Sequence, residues 1–144
     1  MTTNANASTS TPYEHAYGGF DRLLGLRLID AGPDGVTAEL VVRPELLQPY
    51  GILHGGVLCS LVETVGSVAG ALWFGDRGQV VGVANSTNFL RAVREGATLA
   101  VTCTPIQRGR TQQLWSVEIR DGERLSATGQ LRLANLASTE QLGR

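Results

Sequence analysis

Glu63 is the only charged side chain between His54 and Asp76, in a stretch otherwise built of Val, Leu, Ala, Gly, Ser, Thr, Cys and aromatics. A buried, unpaired carboxylate is costly or is driven towards its neutral form. A lone glutamate here therefore either reaches solvent or an arginine, or is kept for chemistry as a nucleophile or general base. Its neighbours at helical spacing are small. Ser60, Ser67 and Gly70 lie three, four and seven residues away, with Gly56 and Gly66 nearby. Such a side of a helix leaves space for another backbone or a ligand.

The second candidate is His54-Gly55-Gly56, at the start of the same apolar run. Glycines at a helix start let a ligand approach unpaired N–H groups, whose partial positive charge suits a developing oxyanion. The plainer alternative is a glycine-rich turn with a satisfied loop histidine. Glu63 lies eight residues beyond Gly55, about 12 Å along a helix, so one carbonyl cannot touch both within one chain. If both serve one reaction, Glu63 comes from a partner whose helix runs antiparallel, and the small-residue side is the seam of a two-fold dimer. Other routes fit poorly. No Gly-x-Ser-x-Gly elbow is present. Cys59, expected on the apolar part of the helix, lacks the electropositive setting of a reactive thiol.

The elements that must hold these residues follow from periodicity and turns. Tyr13 to Leu24 reads as a short helix with Phe20, Leu23 and Leu24 as its apolar contacts. Leu26 to Ala31 and Val36 to Val42 read as strands around the turn Gly32-Pro33-Asp34-Gly35. In the second, Val36, Ala38, Leu40 and Val42 alternate with Thr37, Glu39 and Val41, which predicts one buried face. From Gly55 to about Phe74, Leu58, Leu61, Val62, Val65, Ala69 and Leu72 recur at helical spacing. Strand-like segments follow at Val80 to Phe89, Thr98 to Gln107, Gln112 to Arg120 and Arg124 to Asn135, with Asp121-Gly122 as a tight-hairpin signal. Two strands, one long helix and four strands predict an α+β domain, one helix against one antiparallel sheet.

Composition narrows the classes. A chain of 144 residues with 42% hydrophobic content holds one domain with a core. We place that domain at 13–136, between tails at 1–12 and 137–144. A net charge of −1 without like-charge runs argues against nucleic acid and anionic membranes. All 12 basic residues are arginine, which removes lysine chemistry. Cys59 and Cys103 lack metal-ligand spacing and read as free core thiols. No apolar stretch is expected to approach the ~20 residues of a membrane span, and the polar start lacks the order of a signal peptide. The expected location is the cytoplasm.

The stretch Gln48-Pro49-Tyr50-Gly51-Ile52-Leu53-His54-Gly55-Gly56, then Glu63-Thr64-Val65-Gly66-Ser67-Val68-Ala69-Gly70, resembles hotdog-fold thioesterases of the phenylacetate-pathway type. The branch is the one holding the dihydroxynaphthoyl-CoA and enterobactin-proofreading thioesterases. The resemblance runs from about Leu24 to Leu136, through Val80-Val81-Gly82, Arg91-x-x-Arg94-Glu95-Gly96 and Gln113-Leu114-Trp115. It implies hydrolysis of an acyl- or aroyl-CoA thioester. Glu63 would be nucleophile or general base, the Gly55 N–H the donor to the thioester oxygen, and Gln48 and His54 polar lining. Ser67 would bind the attacking water. It also implies CoA contacts along Gly82, Phe89-Leu90-Arg91-Ala92 and Arg108-Gly109-Arg110-Thr111, where the arginines suit phosphate. Phe89 departs from the polar residue expected there. No metal or redox cofactor is implied, CoA being part of the substrate, and the expected assembly is a homodimer pairing into a dimer of dimers (a homotetramer).

Two other readings stay open. A hotdog hydratase or dehydratase would use His54 with an acidic residue, although its usual proline-containing histidine motif is absent. A non-catalytic acyl-CoA-binding module would not need Glu63, Ser67 and Gln48 together.

Overall fold

The computed structural model describes residues 16 and 18–138. The N-terminal tail and the beginning of the helix expected at Tyr13 lie outside the described residues, as do residues 139–144. A short helix α1 (Gly19–Leu24) precedes strands β1 (Arg27–Gly32) and β2 (Gly35–Val41). The long helix α2 (Gly55–Phe74) follows, then β3 (Gly78–Phe89), β4 (Thr98–Arg108), β5 (Gln112–Asp121) and β6 (Arg124–Ala137). The six strands form one antiparallel sheet in the order β1-β2-β4-β5-β6-β3. Because α2 crosses between β2 and β3, β3 lands at the far edge, paired only with β6.

The alternation read in β2 holds: Val36, Ala38, Leu40 and Val42 are buried, and Val41 faces out. At the β5–β6 hairpin Asp121 pairs with Arg124, and Gly122 takes φ +60, a turn conformation that glycine adopts without strain. α2 touches all six strands. Leu61, Val62, Val65 and Ala69 are fully buried against a sheet face that includes Leu99, Trp115, Val117, Leu131 and Leu133.

Several expectations need correction. Gly66 and Gly70 do not share the open side with Glu63. A Cβ at Gly66 would stand 2.5 Å from Leu131, and one at Gly70 would stand 2.2 Å from Leu133, so both let the helix settle onto β6. Leu72, expected in the apolar stripe, is exposed, as are Phe20 and Leu23 of α1; Leu24 alone of that trio is buried. Cys103 is buried, but Cys59 is only half-buried. By length and composition, Gly55–Arg77 is long and apolar enough to cross a membrane, contrary to the expectation from sequence. About half of that stretch is buried inside the domain, as a core helix wrapped by its own sheet should be.

Candidate active site

The loop before α2 is pinned on both sides. The Leu53 N–H donates to the Val93 carbonyl and the His54 N–H to that of Leu46, at 2.8 and 2.9 Å. The Gln48 side-chain oxygen accepts from the Tyr50 N–H, which folds the Gln48–Ile52 turn. His54 is the N-cap of α2: its Nδ1 accepts from the Gly56 N–H at 2.8 Å. In the neutral ring the proton then sits on Nε2, available to a ligand. Capping consumes the Gly56 N–H and leaves that of Gly55 with no hydrogen-bond partner among the described residues.

Gly55 lines a cleft of about 330 Å³ together with Gln48, Ile52, Leu53, Leu58 and Phe89 through Val93. Six residues singled out from sequence meet here: Gln48, Gly55, Phe89, Leu90, Arg91 and Ala92. The Phe89 ring lies against Gly55, where a Cβ would stand 2.9 Å from it. Arg91 is tied back to β6, donating to the Leu125 carbonyl at 3.0 Å.

Glu63 lies farther along α2, half-buried under edge strand β3. Its carboxylate rests on Gly82, where a Cβ would stand 2.2 Å from Oε1. Gly82 therefore makes room for the acid. Asn85 Nδ2 donates to Glu63 Oε2 at 3.4 Å and to the Cys59 carbonyl at 2.9 Å, while Thr87 Oγ1 donates to Asn85 Oδ1 at 2.7 Å. Glu63 has no ion-pair partner among the described residues, so the arginine-paired alternative drops out. Sequence reasoning missed Asn85 and Thr87; two polar residues alternating along an edge strand look like any solvated face. Ser67 sits one turn beyond Glu63, half-buried, on a separate cleft with Val68, Ala71 and Leu72.

Arg108, Gly109, Arg110 and Thr111 form a third locality, a cleft of about 590 Å³ with Trp73, Phe74 and Arg77 at the end of α2. A hydrogen-bonded chain, buried at its Trp115–Gln113 end, holds this hairpin: Trp115 Nε1 donates to Gln113 Oε1, Gln113 Nε2 to Asn135 Oδ1, and Asn135 Nδ2 to the Gly109 carbonyl. Arg108 pairs with Asp34 at 2.7 Å, and Arg77 stacks over Trp73. The two sets of expected CoA contacts thus stand at opposite ends of a 20-residue helix, about 30 Å apart. Thiol chemistry is confined: burial pushes the Cys103 thiol up to about 12, which keeps it protonated and inert at neutral pH.

Residues 50–128 match the Thioesterase superfamily. The chain belongs to that family. It is 38% identical over 114 residues to the 1,4-dihydroxy-2-naphthoyl-CoA hydrolase of Escherichia coli K12, covering 78% of this chain and 83% of the relative. It is 40% identical over 98 residues to the proofreading thioesterase EntH of Cronobacter turicensis, covering 68% and 71%. Among solved structures it resembles S. sahachiroi AziG at 50% identity with a TM-score of 0.82, covering 83% of this chain and 98% of that one. The fold is the hotdog, one long helix on a six-stranded antiparallel sheet, and the enzyme is a thioester hydrolase.

Proposed function

We propose that this thioesterase hydrolyses an acyl- or aroyl-CoA thioester at a site shared by two chains. The Gly55 N–H and the positive end of α2 polarise the thioester carbonyl. Glu63 of the partner either attacks that carbon, giving an anhydride that water then hydrolyses, or takes a proton from a water that attacks it. In both routes the C–S bond breaks, the sulfur takes up a proton and CoA departs as the thiol. His54 Nε2–H donates to the substrate, Gln48 lines the approach, and Ser67 holds the water. The sequence uses no metal or redox group. The observation carrying this reading is the Gly55 N–H, unpaired at a capped helix start, set against a half-buried Glu63 that lies beneath edge strand β3 and has no cation partner among the described residues.

An antiparallel partner that sets its Glu63 beside Gly55 also brings its Arg108–Thr111 hairpin forward. The end of its α2 falls about 16 Å beyond Gly55, eleven residues at 1.5 Å each. Both expected CoA-contact sets then reach one ligand, pantetheine spanning the gap. Edge strand β3, its outer side unpaired, supplies a second strip of dimer contact, and a dimer of dimers and a cytoplasmic location belong to the same reading.

Mixed dimers test it. Glu63→Gln is expected to lower kcat by about 10²–10⁴-fold while folding normally. Gly55→Pro removes the donor at the first helical position, where backbone geometry accepts proline once the exposed Phe89 ring swings aside, and is expected to be similarly inactive. Co-refolding the two restores one intact site per mixed dimer, hence about a quarter of wild-type activity at equal mixing. Absence of any recovery overturns the shared site, and wild-type turnover by Glu63→Gln overturns the role of the carboxylate.

A further inference from the structure

We infer that Phe20 and Leu23 of α1 are specificity determinants, walling a pocket for an apolar acyl group on the opposite side of His54 from the Gln48–Arg91 cleft. This rests on the thioesterase reading above.

α1 is small but firmly held. Asp21 Oδ1 accepts from Thr64 Oγ1 of α2 at 2.6 Å, and the Arg43 guanidinium donates to the carbonyls of Leu23 and Leu24. So anchored, a six-residue helix would ordinarily turn its large apolar side chains inward. Only Leu24 does so; Phe20 and Leu23 stand 58% and 70% exposed. They overhang a cleft of about 540 Å³ whose other walls are mainly apolar, Leu46, Leu47 and Val57 among them, with His54, Arg43 and Glu45 among its charged or polar members. That volume lies in the usual range for a small-molecule site.

Consecutive residues therefore face different clefts. Gly55 looks into the one containing Gln48 and Arg91, and His54 into the one beneath Phe20 and Leu23. A thioester carbonyl carbon carries two arms, sulfur and acyl, splayed by its planar geometry. With the oxygen on the Gly55 N–H, the smaller cleft, which carries Gln48 and Arg91 among apolar walls, suits the sulfur arm with its amides and phosphates, and the larger, more apolar cleft suits the acyl arm. The cleft is walled by His54 and Gly56, the chain neighbours of the carbonyl donor Gly55, which favours an acyl group here over a protein segment.

The experiment compares kcat/KM for acetyl-CoA, octanoyl-CoA and benzoyl-CoA in wild type, Phe20→Ser/Leu23→Ser and the pocket-filling Leu23→Trp, with Glu63→Gln as the blank. The octanoyl-to-acetyl and benzoyl-to-acetyl ratios are expected to fall about tenfold or more in the double variant, mostly through KM. Phe20→Leu should recover part of that loss. If the double variant does not fold, Leu23→Trp alone decides, its octanoyl-to-acetyl ratio falling as the pocket shortens. Ratios that stay constant while all rates drop together overturn the inference and point to residues 1–15 or a second chain covering this face. Ratios unchanged with rates unchanged overturn it too. Wild type inactive on every thioester would sink the underlying reading, whereas an active wild type with constant ratios sinks only this one.

Discussion

The two faces of α2 carry small residues for opposite reasons. On the sheet side, Gly66 and Gly70 are spaces already filled by Leu131 and Leu133 of the same chain. On the other side, Gly56 is exposed, and Ser60, Glu63 and Ser67 are half-buried among the described residues. Small size on a helix therefore does not by itself mark a seam; what decides is whether the space is used up within the fold. An acid facing β6 would meet leucine, whereas Glu63, facing edge strand β3, meets Gly82 and Asn85.

Single methyl groups test that contrast. Gly70→Ala forces a Cβ to within 2.2 Å of Leu133 and 2.8 Å of Gln113 Oε1. It is expected to destabilise the fold by about 3 kcal/mol, read by urea denaturation, and comparable stability to wild type would contradict the packing described. Gly82→Ala places its methyl 2.2 Å from Glu63 Oε1, where the carboxylate can swing away. Stability is expected to hold, while kcat falls about 100-fold, the cost of a misplaced reacting group. A loss of stability instead of turnover would put Gly82 with the inward glycines.

The thiols repeat the comparison. Cys103 faces the core with its pKa raised to about 12, above its value in the unfolded chain. The native state therefore keeps a proton that the unfolded state releases, and stability falls as pH rises above about 9. At about pH 10.5 the loss attributable to this group is about 2 kcal/mol, measurable as the difference between wild type and Cys103→Ala in denaturant titrations at pH 8 and pH 10.5. Parallel pH profiles would refute the burial effect. The smallest expected change is beside Glu63. Asn85→Ala frees one Glu63 oxygen and is expected to lower kcat about tenfold with KM little altered. Asn85→Asp places a second carboxylate beside Glu63, so the acid limb of the pH–rate profile should move to higher pH. If neither changes the profile, Asn85 does not position Glu63.

Much of this was legible from sequence. Period-3.6 and period-2 patterns fix a helix and strands because side-chain direction follows backbone geometry, and all six strands appear within about two residues of their expected bounds. Gln48, Gly55 and the Phe89–Ala92 stretch meet in one cleft because the loop pairing Ile52 with Arg94 joins them. Missed were Asn85 and Thr87, whose partners lie 22 or more residues away or on the same strand, and the outward direction of Phe20 and Leu23 on α1, where Leu24 alone is buried as expected.

The sequence by itself determined the order of elements, the lone carboxylate and the glycine-rich helix start, since these depend on local spacing. Only the tertiary structure decided which glycines were filled, that Glu63 has Asn85 and no arginine beside it, and that the two expected CoA-contact stretches sit at opposite ends of α2. Those outcomes depend on which strand lies over which turn of the helix, and strand order is set by contacts between residues far apart in the chain.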